Sequence, residues 1–231
     1  SWWSSLKEEV VCHFPYAVFS IACAIIVLSF VSYDVGAMNA KGAHRLFHSF
    51  HFLHLIFSAT GAVLMFRRHS QNIILGILVG VLVPSSFCTL SDAFLPYLGG
   101  RFVGLNMHFH WCFLSHLDTV LPFLAIGILQ GWMLSSHSKS KHVFYSTTTH
   151  FLHILVSSMA SLMYLVSFGF TNWWDSIGFV FLFLLFAVVV PCSLSDVVVP
   201  FLCARFGNKP NASLAKCAFC SSGSVDEKNK V

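Results

Sequence analysis

The amino-acid sequence predicts an all-α polytopic membrane protein, with six transmembrane helices arranged as two inverted three-helix repeats. Three observations predict this fold. Hydrophobic residues make up 56% of the 231 residues and charged residues only 10%, whereas about 25% of a typical soluble domain is charged. Six apolar stretches are each long enough to cross a bilayer core as a helix. The second half of the chain also repeats the motifs of the first half.

The six apolar stretches follow one another closely, so no room is left between them for a separate soluble domain. The first stretch follows a short polar segment and has no small-residue cleavage pattern, so we expect a retained helix. The predicted spans, in order along the chain, are 15–33, 47–66, 73–97, 108–133, 147–168 and 177–203. Repeat 1 covers 1–103, repeat 2 covers 104–206, and 207–231 is predicted to be a flexible cytoplasmic tail.

Two sequence motifs recur at constant offsets and define the repeats. Span three ends with CTLSDAFLPYL at 88–98, and span six ends with CSLSDVVVPFL at 192–202; both are followed by Arg-Phe, so eight identical residues recur at an offset of 104. His-Phe-Leu-His occurs at 51–54 and again at 150–153, an offset of 99. Because each repeat holds three spans, an odd number, the second repeat enters the membrane from the opposite side. Inverted repeats of this kind are typical of secondary transporters.

The distribution of basic residues predicts the orientation of the chain. Ten of the thirteen Lys and Arg residues fall in segments on one side of the predicted spans. Only Lys41, Arg45 and Arg101 fall on the other side. The positive-inside rule therefore places both termini in the cytoplasm and predicts a multi-pass membrane protein.

Histidine and aspartate residues concentrate in the repeated motifs and form two predicted metal clusters near opposite faces of the membrane. Histidines three residues apart on one helix share a face, and the topology brings a Ser-Asp pair to the same level. The predicted outer ligands are His48, His51, His54, Ser91, Asp92, His108 and His116. The predicted inner ligands are His13, His150, His153, Ser195 and Asp196.

The ligand types indicate the chemistry of these clusters. Imidazole nitrogen together with carboxylate oxygen suits zinc, iron, manganese, cobalt or nickel, whereas calcium and magnesium prefer oxygen alone. An intramembrane aspartate costs about 2.5–3.5 kcal/mol on insertion scales. A bound cation or proton would offset that cost. We expect the repeated cysteines, Cys88 and Cys192, to pack as small apolar residues.

The leading functional hypothesis is a transporter for a divalent transition-metal cation, with the two clusters as entry and exit sites. One alternative is a di-haem b-type cytochrome that carries electrons across the bilayer, since paired histidines can bind haem. Another is a membrane-embedded zinc hydrolase, and a structural or assembly subunit also stays open. The expected partners are the lipid bilayer and the cation. The basic residues are too dispersed for a nucleic-acid partner, while a homo-oligomer or a membrane-complex partner stays open.

Overall fold

The computed structural model describes residues 2–34, 39–109, 117–136 and 139–206. Those residues form an all-helical protein without strands. The predicted tail, 207–231, and the candidate ligand His116 lie outside the described residues, as does the side chain of His13.

Six long helices occur within the described ranges, and the predicted spans correspond to them in order. Five, α2 to α6, are long and apolar enough to cross a membrane, and α1 contains the shorter apolar segment Phe14–Phe30. This composition is typical of a multi-pass membrane protein. The helices are α1 Trp2–Asp34, α2 Ala40–His69, α3 Ile73–Phe102, α4 Leu117–Ser135, α5 Lys139–Ser167 and α6 Trp173–Phe206.

Helix boundaries follow local capping chemistry. The side-chain oxygen of Asn39 accepts a hydrogen bond from the Gly42 N–H at 2.7 Å, and that of Asn72 accepts one from the Leu75 N–H at 3.1 Å. Such contacts satisfy N–H groups that have no partner within the first helical turn. Just beyond the ends of α3 and α5, Gly104 and Gly169 have φ of 91° and 97°. A positive φ at this place is the usual glycine helix stop.

The predicted start of the fourth span is corrected by the structure. The prediction began this helix at residue 108, but 105–109 are non-helical and the described part of α4 begins at Leu117. Helices α2 and α5, in contrast, begin earlier along the chain than the predicted spans. They begin at Ala40 and Lys139, seven and eight residues before the predicted spans. Both histidine motifs therefore lie deeper in their helices than the predicted boundaries implied.

Helices α2 and α5 form the centre of the molecule and pack mainly against each other. Helix α4 also packs closely on α2, because Gly127 and Gly131 bring the backbones together. A Cβ atom on these glycines would lie 2.5 Å from the Ile56 oxygen and 2.8 Å from the Thr60 oxygen. Such small-residue contacts are common between helices in membranes. The outer helices expose many large apolar side chains, as a lipid-facing surface does.

Both repeated Ser-Asp pairs lie in short π-helical turns. The turns are Leu90–Phe94 in α3 and Leu194–Val198 in α6. Each turn is followed by a proline, Pro96 or Pro200, which has no N–H to donate to the carbonyl four residues earlier, that of the aspartate. The prolines do not stop the helices, which continue to Phe102 and Phe206. π-helical turns within α-helices are frequent at functional sites.

Candidate metal centre

The first cluster surrounds the carboxylate of Asp92, and we call it the Asp92 cluster. The Nδ1–H groups of His51 and His54, on α2, donate to Oδ2 of Asp92 at 2.9 and 2.6 Å. The hydroxyls of Ser91 and of Ser157, on α5, donate to Oδ1 at 2.9 and 2.6 Å. All five residues are almost fully buried. Both carboxylate oxygens are thus hydrogen-bonded, which a buried carboxylate requires.

The second cluster, the Asp196 cluster, uses the matching residues of repeat 2. The Nδ1–H groups of His150 and His153, on α5, donate to Oδ2 of Asp196 at 3.2 and 2.5 Å. Ser58, on α2, is the counterpart of Ser157 but shares a hydrogen bond of 2.8 Å with the Ser195 hydroxyl. Oδ1 of Asp196 has no hydrogen-bond partner among the described residues.

The structure corrects the predicted separation of the two clusters. The rings of His54 and His153 have centroids 4.4 Å apart, so the clusters adjoin and do not lie near opposite faces. Each of these histidines is at the middle of a long helix, the fifteenth residue of 30 in α2 and of 29 in α5. The two serines, Ser58 and Ser157, further connect the clusters because each bonds to a residue of the other repeat.

A third group of donor atoms lies between the two clusters, and we call it the central group. Its members are His54, His153, Cys88 and Cys192, all buried. The Sγ atoms of Cys88 and Cys192 lie 3.5 and 3.7 Å from Nε2 of His54. The cysteines therefore do more than pack as the small apolar residues that the sequence predicted.

Several predicted ligands lie elsewhere. His48 contacts His44, with 3.2 Å between their Nε2 atoms, and its side chain is half-buried on α2. His108 is exposed in a non-helical segment, where its carbonyl accepts a hydrogen bond of 2.9 Å from the Tyr164 hydroxyl. Neither belongs to the buried groups of donors that the described residues bring together. Ser58 and Ser157 were not among the predicted site residues. The repeat does contain a signal for them, because the two serines match at the offset of 99.

Gly61 is a further site residue, which the repeated motifs do not predict. A Cβ atom at Gly61 would lie 2.8 Å from Oδ2 of Asp196, so only glycine lets α2 approach this carboxylate. Its counterpart in repeat 2 is Ala160. The two repeats therefore differ at this position, which lies against the Asp196 carboxylate.

Three sets of donors in this region are close enough to hold a metal ion. Within each set, the ligand atoms lie within 4.8 Å of one another. Nitrogen, sulfur and carboxylate oxygen together are donors for transition metals. The sets are His51, His54 and Asp92; His54, His153 and Cys192; and His150, His153 and Asp196. Comparison of the chain with protein-family models, curated proteins and solved structures gives no match.

Proposed function

We propose that this protein transports a divalent transition-metal cation across the membrane. The observation that carries the proposal is the sharing of two histidines among three adjoining sets of donors. His54 belongs to the first and second sets, and His153 to the second and third. A cation could therefore pass from one set to the next without leaving protein ligands. A structural metal would need only one such set.

The two nitrogens of each shared imidazole supply the connection. In His54 and His153, Nδ1 faces an aspartate. Nε2 of His54 lies 3.7 Å from Sγ of Cys192, and His54, His153 and Cys192 form one set of donors. One imidazole can thus serve two neighbouring stations with different atoms. The aspartates would hold the cation at the outer stations, where their negative charge offsets part of its charge. Without a cation, the imidazole N–H groups donate to Oδ2 of each carboxylate.

The proposal includes six membrane spans in two inverted repeats, with both termini in the cytoplasm. The matched π-helical turns and the matched histidine-aspartate bonds support two related halves. The two clusters meet at the middles of α2 and α5. In this proposal each cluster forms one metal-binding station, and the two stations lie on opposite sides of the membrane centre. A substrate at the midplane, at the interface of two repeats, is typical of secondary transporters.

The geometry gives less support to the other interpretations. Two imidazoles that bind one haem must lie on opposite sides of a porphyrin, but the His54 and His153 rings are in direct contact, with centroids 4.4 Å apart. A zinc hydrolase needs an open metal position for water. The aspartates and four histidines of the clusters are at most 4% exposed.

Uptake of Zn²⁺ into proteoliposomes tests the proposal. The unmodified protein should accumulate Zn²⁺, or one of Co²⁺, Ni²⁺, Mn²⁺ and Fe²⁺, above the level of protein-free liposomes. His54→Ala and His153→Ala should each reduce uptake at least tenfold, because each removes a ligand from two stations. His44→Ala is the control and should leave uptake unchanged, since His44 is exposed and outside the donor sets. Uptake of none of the five metals by the unmodified protein would contradict the proposal.

A further inference from the structure

The second set of donors, which contains His54, His153 and Cys192, differs from the other two in how its ligand atoms are engaged. In the first and third sets, the histidine Nδ1–H groups donate to Oδ2 of an aspartate, at 2.5–3.2 Å. A cation bound between those atoms would have to displace the protons of these hydrogen bonds, because a metal-bound nitrogen carries no proton. A cation bound by the second set would leave the hydrogen bonds to the aspartates in place.

The aspartates determine which nitrogen of each shared histidine can bind a cation. An ionised carboxylate can only accept hydrogen bonds. Nδ1 of His54 therefore donates to Asp92, at 2.6 Å, and Nδ1 of His153 donates to Asp196, at 2.5 Å. In a neutral imidazole this leaves Nε2 with a lone pair. A histidine that binds a metal through one nitrogen commonly donates its other N–H to a carboxylate in this way.

One of these Nε2 atoms lacks a partner. Nε2 of His153 is buried and has no hydrogen-bond partner among the described residues. A buried acceptor without a partner is costly. Because Nδ1 of His153 is engaged with Asp196, Nε2 is the nitrogen that remains available to the second set. A cation bound by that set would give this nitrogen a partner.

The two repeated cysteines are placed differently with respect to the second set. Sγ of Cys192 is 3.7 Å from Nε2 of His54. A tetrahedral zinc ion, with bonds of about 2.3 Å to sulfur and about 2.0–2.1 Å to nitrogen, holds these atoms about 3.6 Å apart. Sγ of Cys88 is also near this nitrogen, at 3.5 Å, but Cys88 belongs to none of the three sets. Cys192 is therefore the cysteine that can share an ion with both histidines.

We propose that His54, His153 and Cys192 form the site at which the cation rests, and that this site selects a thiophilic divalent cation of the Zn²⁺ class. Nε2 of each histidine and the thiolate of Cys192 bind the ion, and the thiol proton is released on binding. Asp92 and Asp196 keep their hydrogen bonds to the histidines while the ion is bound. Cys88 is not a ligand.

The class of cation follows from the three donors. One thiolate and two imidazoles favour Zn²⁺, Co²⁺ or Cd²⁺ over Mn²⁺ and Mg²⁺, which prefer oxygen ligands. Three protein ligands leave one position of a tetrahedral ion unfilled, whereas structural zinc sites are closed by four ligands. An incomplete ligand shell suits a cation that moves on to a neighbouring set. The inference names the class of cation for the transporter proposed above and rests on that proposed function.

Titration of the purified, full-length protein with Co²⁺ tests this site. Cobalt bound by a thiolate gives an intense sulfur-to-cobalt charge-transfer absorption, which we expect to saturate at about one equivalent. Cys192→Ser should abolish this absorption, whereas Cys88→Ser should retain it because Cys88 is outside the three sets. Cys203→Ser is a second control, since Cys203 is a half-buried cysteine on the same helix as Cys192 and also lies outside the sets.

X-ray absorption spectroscopy of the unmodified protein loaded with Zn²⁺ tests the same site without a substitution, so the test does not depend on the folding of any variant. We expect one sulfur at about 2.3 Å and nitrogen ligands at about 2.0–2.1 Å. Two sulfurs, or none, would overturn the site. Charge-transfer absorption that survives Cys192→Ser or is lost in Cys88→Ser would overturn it as well.

The outcomes also separate this site from the proposed function. If Zn²⁺ is taken up into proteoliposomes but the bound metal has no sulfur ligand, the transport proposal stands and the site is wrong. If the bound metal has one sulfur ligand that depends on Cys192 but no metal is taken up, the site stands and the transport proposal fails. Equal uptake of Mn²⁺ and Zn²⁺ at equal concentrations would contradict the selection of a thiophilic cation.

Discussion

The Asp92 and Asp196 clusters contain the same residue types in the same order, yet their hydrogen bonds differ. Asp92 accepts four hydrogen bonds, two from histidines and two from serines. Asp196 accepts only the two from histidines, and its Oδ1 has no partner among the described residues. The difference arises at one matched pair, because Ser157 donates to Asp92 whereas Ser58 pairs with the Ser195 hydroxyl.

This comparison shows that one local sequence can adopt two hydrogen-bonding states. Both carboxylate oxygens of Asp92 already accept hydrogen bonds. The Asp196 cluster has an unfilled acceptor, so it is the station better prepared to take a cation. Three pairs of matched substitutions test how far the difference extends.

The largest difference is expected between the two aspartate-to-asparagine substitutions. Asp92→Asn places an NH2 group where an oxygen accepted two hydrogen bonds, so buried donors lose their acceptor, at a cost of about 3–5 kcal/mol. Asp196→Asn can direct its NH2 group to the unpartnered Oδ1 position, so we expect a loss of only about 1 kcal/mol. The measurement is the free energy of unfolding in mixed detergent micelles, with a chelator present to exclude metal. Equal losses would show that the two carboxylates are equivalent.

An intermediate effect is expected at the glycine that touches Asp196. Gly61→Ala brings a methyl group within 2.8 Å of Oδ2 and should displace the carboxylate from His150 and His153. We expect a destabilisation of about 2 kcal/mol from this overpacking and at least a tenfold weaker affinity for Zn²⁺, measured by isothermal titration calorimetry. The reciprocal change, Ala160→Gly, is the control. It should cost about 1 kcal/mol from helix propensity alone and leave the affinity unchanged.

The smallest effects are expected at the serines. Ser157→Ala removes a hydrogen bond to a charged acceptor and should cost about 1.5 kcal/mol. Ser58→Ala removes one between two hydroxyls and should cost about 0.5 kcal/mol. Differential thermal unfolding of the two variants, prepared side by side, measures this order. A larger loss for Ser58→Ala would mean that the saturated state belongs to the Asp196 cluster in solution.

Much of the architecture was predictable from the sequence, because hydropathy fixes where apolar helices lie. The pairing of the histidines with Asp92 and Asp196 was predictable too, since residues three apart share a helix face and the motifs repeat. The meeting of the two clusters was not. The first turns of α2, from Ala40, and of α5, from Lys139, are polar, so hydropathy does not predict them as part of the spans. Because the helices include these turns, the histidine motifs lie at the helix midpoints.

The roles of the cysteines and serines were hidden for a different reason. Cys88 and Cys192 are apolar enough to pass for core residues, and only their distance from His54 shows that they face a donor group. Ser58 and Ser157 bond to the opposite repeat. Contacts between the repeats depend on how the two halves pack against each other. Comparing the sequence of one repeat with that of the other gives no information about this packing.

The π-helical turns have a consequence for insertions and deletions in this chain. In an ordinary transmembrane helix, losing one residue turns every later side chain by about 100° and removes the whole remainder from register. A π-helical turn holds one residue more than an α-helical turn, so the turn that carries the Ser-Asp pair in α3, and the matching turn in α6, each contain one residue that is surplus to helix continuity. Deleting Ala93 or Val197 should convert the turn to α-helix and leave the rest of the helix in phase. The deletion would remove the local bulge that carries the Ser-Asp pair. The surplus residue is therefore needed for the geometry of the Asp clusters and not for the helix to cross the membrane.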